Sequence, residues 1–489
     1  MQRDTRKKIL FAASEGTPFV KTGGLADVVG ALPKYLDPAR FDVRVILPKY
    51  LCIPQELSAQ MTYLTNFTID LGWRRQYVGL FSMEYDGVTF YFIDNEFYFC
   101  GFQPYGEIYQ DIEKFAFFSK AVIESCAHLD FMPDIIHCHD WQTGLIPVLL
   151  DQMRWEGRPE GSIKTIMTIH NLRFQGRWGL EEVQDIAGIN DRYLTGEIME
   201  AFGDADYLKG GIVMADRVTT VSPTYAMEIR TPFYGEGLHS VIENHAGKVS
   251  GILNGLDLAE FDPESDPYIP HHYHAETFRR QKPLNKDVLQ ERFGLEKDRG
   301  KMVFGIVSRL TDQKGFDLIG EVMDEFLKGE VQLAVLGSGE GRYEDMFEYY
   351  LRVYPGKVAF YRGYNEELAR LIYAGSDAFM MPSLFEPCGL SQLIAMRYGS
   401  VPVVRETGGL KDTVEPYNEF ENTGTGFSFA GAGRDEFLKI LQYTEDIYFC
   451  HKRRWNQIAG RAMEKNFSWE TSAKRYGQLY EELTLKGDD

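Results

Sequence analysis

The chain has 489 residues, of which 44% are apolar and 25% charged, and it carries a net charge of −20 at neutral pH. That length exceeds what one hydrophobic core ordinarily serves and fits two large α/β domains, with an average globular composition that needs no staples or structural metal. The acidic balance repels phosphate backbones and anionic lipid, so neither nucleic acid nor a membrane surface is an expected partner, and an anionic substrate must be met by local cations.

At the start, Arg6-Lys7-Lys8 followed by Ile9 to Ala13 has the outline of a signal peptide. Ser14-Glu15-Gly16 interrupts the apolar run too early for one, so it reads as a first strand. Further short β-branched runs follow at Val43 to Leu47, Thr89 to Ile93, Ile135 to His139, Thr165 to His170 and Arg217 to Val221, with amphipathic stretches between them. This rhythm predicts a parallel sheet wrapped by helices. It restarts after Asn254 with Val303 to Ser308, Gln332 to Leu336, Val358 to Tyr361, Ala378 to Met381 and Val401 to Val404, which predicts a second sheet. Between the two series, Phe261 to Pro270 is polar and proline-rich and reads as a linker, placing a boundary near Leu258. The neighbouring His271, His272 and His274 read as a solvated loop. Trp469, Ala473, Tyr476, Leu479 and Leu483 give the end of the chain helical spacing, and this last helix needs a surface to cover. No uninterrupted apolar segment approaches the roughly 18 residues that span a bilayer. The six cysteines are scattered without a C-x-x-C pair, as expected of reduced thiols in a cytoplasm.

Ligands of open parallel sheets sit beyond the carboxyl ends of the strands. Several such ends are chemically loaded. After the first strand, Lys21-Thr22-Gly23-Gly24 leads into a helix: paired glycines permit close backbone approach, helix amides suit an anion, and Lys21 adds charge. A plain turn and cap is the alternative. His137-Cys138-His139 ends in Asp140-Trp141-Gln142, a carboxylate and an indole at a pocket rim; His-x-His also reads as half a metal site, but no second pair stands at ligand spacing. His170-Asn171 closes the next strand and offers an imidazole to a substrate. Ser308-Arg309-Leu310-Thr311-Asp312-Gln313-Lys314-Gly315 puts two cations on one strand-to-helix loop, a fork and a point charge that complement each other on a diphosphate, unless both are simply solvated. Glu386 precedes Pro387-Cys388-Gly389-Leu390, a turn into a helix, and Thr407-Gly408-Gly409 repeats the paired-glycine theme after the last strand. Gly337-Ser338-Gly339-Glu340-Gly341-Arg342 lacks the third fingerprint glycine, and there is no G-x-S-x-G elbow or P-loop. A dehydrogenase, serine hydrolase or P-loop kinase is therefore not expected.

Lys21 to Val28, His139-Asp140-Trp141, His170-Asn171, Gly251-Ile252-Leu253-Asn254-Gly255, Ser308 to Gly315 and Phe385 to Leu390, in this order along nearly the whole chain, closely resemble bacterial glycogen synthases and plant starch synthases. The resemblance implies an α/β GT-B fold, with two Rossmann-like domains facing across a deep cleft and the C-terminal helix crossing back onto the N-terminal domain. It implies domains at 1–258 (acceptor side) and 259–466 (nucleotide sugar), with a closing helix in 467–489. The implied activity is retaining transfer of glucose from ADP-glucose to the non-reducing 4-hydroxyl of an α-1,4-glucan such as glycogen or a maltooligosaccharide. No cofactor or metal is implied, and the setting is a bacterial cytoplasm rather than a plastid. Carried over, Lys21, the Gly23 and Gly24 amides, Arg309 and Lys314 hold the diphosphate. Glu386 and the amides of Cys388 and Gly389, next to Leu390, orient the glucosyl hydroxyls, with Thr407, Gly408 and Gly409 on the phosphate side. Asp140, His170 and Asn254 line the sugar and acceptor, and Tyr364 meets adenine. In place of the second glutamate of E-x7-E retaining transferases stands Ile394, as in the synthase branch, and Gln142 replaces a histidine of some relatives. A glucan-binding scaffold without turnover, a UDP-glucose synthase and a glucan phosphorylase are the alternatives.

Overall fold

The structure is a computed structural model that describes residues 5–485; residues 1–4 of the first expected domain range and 486–489 of the last lie outside it. The chain forms two units, Met1–Gly255 with Trp469–Asp489, and Leu256–Ser468.

The first unit is built on a nine-stranded sheet. In chain order its strands are β1 (Lys7–Ala12), β2 (Phe41–Pro48), β3 (Thr62–Leu71), β4 (Arg74–Tyr85), β5 (Val88–Asp94), β6 (Ile135–His139) and β7 (Lys164–Ile169). A three-stranded sheet of β8 (Arg177–Gly179), β9 (Glu200–Ala201) and β10 (Asp204–Asp206) intervenes before β11 (Arg217–Thr220) and β12 (Val249–Gly251) complete the large one. The spatial order is β12-β11-β7-β6-β1-β2-β5-β4-β3. Strands β12 through β5 run parallel, and their apolar runs are buried because helices cover both faces.

The sheet is mixed rather than parallel: β3 and β4 form an antiparallel hairpin against β5. Most of β3 is exposed, so its apolar residues alternate with polar ones and make no continuous run. The turn rests on Gly72 at φ +57, where a side-chain carbon would meet the Asp185 carbonyl oxygen at 1.9 Å.

The last helix, Trp469–Thr484, packs onto this first unit. Tyr480 sits edge-on to Phe41 and its hydroxyl bonds His137 Nδ1 at 2.8 Å, while Ser472 donates to the Leu253 carbonyl. The buried stripe of Trp469, Ala473, Tyr476 and Tyr480 is the surface-seeking face that its spacing announced.

The second unit carries β13 (Met302–Val307), β14 (Val331–Gly337), β15 (Val358–Arg362), β16 (Ala378–Met381), β17 (Val401–Arg405) and β18 (Phe427–Phe429). All run parallel, in the order β15-β14-β13-β16-β17-β18. The proline-rich segment after Leu256 forms no regular element, but it is not a free linker. Asp266 and Ile269 are buried, and the buried Arg370 guanidinium bonds the Glu260 carbonyl and side chain and lies 3.9 Å over the Phe261 ring. His271 and His274 are likewise half-buried, the former tied to Asn285 through both backbone groups, so only His272 of that cluster is exposed.

Candidate functional site

Both sheets contain a point where successive connections leave a central strand in opposite directions, and such points open a crevice at the strand ends. In the first unit it lies between β1 and β6, and in the second between β13 and β16. The loops leaving these four ends carry most of the residues singled out from sequence.

From β1 the chain runs through Glu15 to the loop 21–24 and the helix Gly24–Tyr35. Lys21 is exposed and pairs with Asp27 at 2.7 Å. A side-chain carbon added at Gly23 or Gly24 would meet nothing within 4 Å, and Gly23 is extended at φ −160. Neither the packing nor the backbone of the fold calls for these glycines, whose lack of side chains leaves open space beside a helix N-terminus. We expect Gly24→Ala to melt at the wild-type temperature while raising the KM for the donor ~10-fold, about the loss of one charge-assisted hydrogen bond, measured by thermal denaturation beside steady-state kinetics.

The loop is held by a residue that sequence reasoning passed over. The buried Glu15 carboxylate accepts the Thr22 amide at 2.5 Å and the Thr22 hydroxyl at 2.8 Å, and Tyr105 donates to it at 2.7 Å. The available signal was an acid directly after an apolar strand, at the strand end where loaded residues collect.

At the end of β6, Asp140 adopts φ 56, ψ −177, a region that side chains rarely occupy and that the surrounding structure must hold in place. Its Oδ1 accepts the His170 amide at 2.7 Å, and the Asn171 amide also donates to the carboxylate. Burial pushes the carboxyl up to about 7, the two amides pull it down, and the charge of Glu15 adds to the rise. Because the folded value lies above the unfolded one near 3.9, the folded state keeps a proton that the unfolded state has lost between about pH 4 and 7. Stability from this group therefore falls as pH rises through that window and is level above it. Asp140→Asn keeps an amide acceptor and tolerates positive φ. Its thermal midpoint should drop less between pH 5 and pH 8 than that of the wild type, and equal drops would discard the assignment.

His170 is half-buried and burial pushes its imidazole down to about 3, so it is a neutral hydrogen-bonding group. Its Nε2 lies 3.0 Å from His139 Nδ1. His137 faces the core, bonded to Tyr480 and to Thr168, and among the described residues no group of three or more His, Cys, Asp or Glu is placed to hold a metal ion. Asn254 and Gln142 are buried with side-chain oxygens that have no partner among the described residues.

In the second unit, the loop after β13 ends in the short turn Asp312–Lys314 and in Gly315 at φ +76, where a side-chain carbon would strike the Pro382 carbonyl oxygen at 2.1 Å. That close approach stitches the loop to the one leaving β16: Leu384 donates to the Gln313 carbonyl, and Gln313 to the Phe385 carbonyl. Lys314 Nζ thereby reaches Glu386 Oε2 at 2.6 Å, with Ser383 Oγ donating to the same oxygen at 3.1 Å. Arg309 is exposed and makes no ion pair among the described residues. Gly337 and Gly339 are not a dinucleotide fingerprint: side-chain carbons there would lie 2.0 Å and 2.2 Å from the carbonyl oxygens of Ser308 and Leu310, so their absence lets β14 pack against the Arg309 loop.

Cys388 is buried, Gly389 is left-handed at φ +74, and Leu390 opens the helix Ser391–Arg397, in which Ile394 is a core residue. Gly408 and Gly409 pack on this turn, and Gly409 donates to the Glu386 carbonyl at 3.1 Å. Thr407 is buried before them. Tyr364 stands apart, after the edge strand β15, with its ring exposed and its hydroxyl bonded to Glu366. The structure thus brings Lys314, Glu386 and the 407–409 turn together, and Asp140, His170 and the 21–24 loop to one switch point, while Tyr364 lies at a different strand end.

Residues 8–244 match the starch synthase catalytic domain model, and residues 287–453 the model of glycosyl transferases group 1. A glycogen synthase of Lachnospira eligens is 58% identical over 477 residues, covering 98% of this chain and 100% of the relative. The chain belongs to the glycogen and starch synthase family. A glycogen synthase of Desulforamulus reducens is 48% identical over 98% of this chain and 100% of its own. The catalytic domain of starch synthase IV from Arabidopsis thaliana, solved with ADP and acarbose, superposes with a TM-score of 0.90 at 32% identity, covering 98% of this chain and 100% of that one. The family membership makes the protein a hexosyltransferase of the GT-B fold. The sucrose-phosphate synthase of Thermosynechococcus elongatus, at 18% identity and a TM-score of 0.61, shares that fold alone. No helix among the described residues is long and apolar enough to cross a membrane.

Proposed function

We propose that the protein transfers glucose from ADP-glucose to the non-reducing 4-hydroxyl of an α-1,4-glucan, with retention and without a metal, in a cytoplasm. The observation that carries this is the Lys314–Glu386 pair at the switch point of the second unit, a cation and a carboxylate within 2.6 Å on loops from adjacent strands. In this reading Lys314 and Arg309 neutralise the diphosphate as it departs, which supplies in fixed charge what a metal supplies elsewhere. Glu386 and the amides of Cys388 and Gly389 hold glucosyl hydroxyls, the 407–409 turn supports the phosphate side, and Tyr364 meets adenine. On the first unit, Lys21 and the Gly23 and Gly24 amides add to the phosphate grip, and Asp140, His170 and Asn254 serve the sugar and acceptor. The bond from C1 to the phosphate oxygen breaks as C1 bonds the acceptor O4, and the departing phosphate takes the O4 proton. A neutral His170 supports this assignment of the proton, since it is a poor base at physiological pH. Six cysteines with no disulfide among them support a reducing compartment.

The test is incorporation of label into glycogen from ADP-glucose or UDP-glucose with EDTA present. Transfer from ADP-glucose supports the reading, a preference for UDP-glucose replaces the donor, and glucan binding without transfer from either establishes the scaffold instead.

A further inference from the structure

His139 is fully buried and lies in a stack of rings, 4.2 Å from His137 and 5.3 Å from Phe11 between centroids. Its Nδ1 lies 3.0 Å from His170 Nε2, whereas its Nε2 is buried without any partner among the described residues. Burial keeps both imidazoles neutral, so each ring holds a single N–H. One of the two facing nitrogens must therefore be the donor, and the choice fixes the tautomer of both rings.

If His170 donated, the proton of His139 would sit on its orphaned Nε2, an N–H buried without an acceptor. If His139 donates, the orphaned atom is only an unused lone pair. Stranded N–H groups are the rarer and costlier of the two in folded proteins. We infer that His139 is a positioning residue: it donates from Nδ1 to His170 Nε2 and so holds His170 as the Nδ1–H tautomer, which offers a hydrogen-bond donor to a sugar hydroxyl. The inference rests on the proposed placement of His170 at the sugar and adds the polarity of that contact. A hydroxyl or ring oxygen that accepts is favoured there, and a ligand group that can only donate is rejected.

The test uses the full chain labelled with 15N-histidine, with His170 signals assigned by comparison with His170→Ala. Long-range proton–nitrogen spectra should show a protonated Nδ1 and an unprotonated Nε2 at His170. His139→Asn, whose side-chain amide falls about where Nδ1 lies, should keep that pattern and the wild-type kcat within ~3-fold. His139→Phe should shift His170 toward the Nε2–H form and lower kcat ~10-fold, the effect of one lost hydrogen bond, with donor KM little changed. A wild-type His170 protonated at Nε2, or a His139→Phe chain with unaltered tautomer or kcat, overturns the inference. If His139→Phe does not fold, the wild-type spectrum and His139→Asn still decide it. Unchanged transfer by His170→Ala removes His170 from the sugar site and with it the catalytic part of the inference, and the spectra separate that failure from a wrong tautomer.

Discussion

Lys314→Ala should lower kcat by ~10²-fold or more, the usual effect of deleting a preorganised charge at a developing anion. The side chain is well placed to act as one. A single turn after β13 and a left-handed Gly315 pressed against Pro382 carry its ammonium to Glu386, so little rearrangement is needed when negative charge appears. The same variant leaves a buried carboxylate with, among the described residues, only Ser383 as a hydrogen-bond donor from a side chain, which costs about 2–4 kcal/mol of stability if the charge persists. The two effects separate in a double variant. Lys314→Ala with Glu386→Gln should recover the thermal midpoint lost by Lys314→Ala alone, without recovering kcat. Recovery of both would make the lysine a structural partner of Glu386 and nothing more.

Gly409→Ala should cost ~3 kcal/mol or more and abolish transfer as the turn around Glu386 is displaced. A side-chain carbon there would lie 2.1 Å from the Cys388 carbonyl oxygen and 2.5 Å from its Cα. Both are backbone atoms, so neither can rotate aside, and Gly409 also donates to the carbonyls of Glu386 and Pro387. Gly408, at φ +44 and 1.9 Å from the Glu386 carbonyl oxygen by the same construction, is equally constrained. Thermal denaturation decides the matter, and a midpoint at the wild-type value would mean that the turn yields more easily than its contacts suggest. The contrast with Gly24→Ala is the sharper test, because the two glycine pairs look alike on paper.

That likeness marks where sequence reading stops. The parallel strands were legible because burial on both faces favours short runs with few polar residues, and these mark strands such as Ile135–His139 and Ala378–Met381 to the residue. The exposed β3–β4 hairpin left no such mark. Lys314 and Glu386 were each visible as loaded loop residues, but their pairing spans 72 positions and depends on β16 lying beside β13 rather than beyond β15. Local periodicity carries no information about that adjacency. Glu15 was hidden for a related reason: its significance lies in the Thr22 groups it holds, not in its own spacing. What distinguishes Gly23-Gly24 from Gly408-Gly409 is likewise outside the motif, in the presence or absence of a neighbouring backbone.

The crossing of the chain at Gly255 and again at Ser468 has a consequence for synthesis. The second unit is one uninterrupted stretch of sequence, Leu256–Ser468, which separates most of the first unit from the helix Trp469–Thr484 that completes it. During elongation, the first 255 residues therefore leave the ribosome without the helix that covers Phe41 and bonds His137, and must wait while 213 more are made. At ~5–20 residues per second that delay is on the order of 10–40 seconds. The unit begun before the other is finished after it, and for that interval its apolar ground is open to chaperones or to other nascent chains.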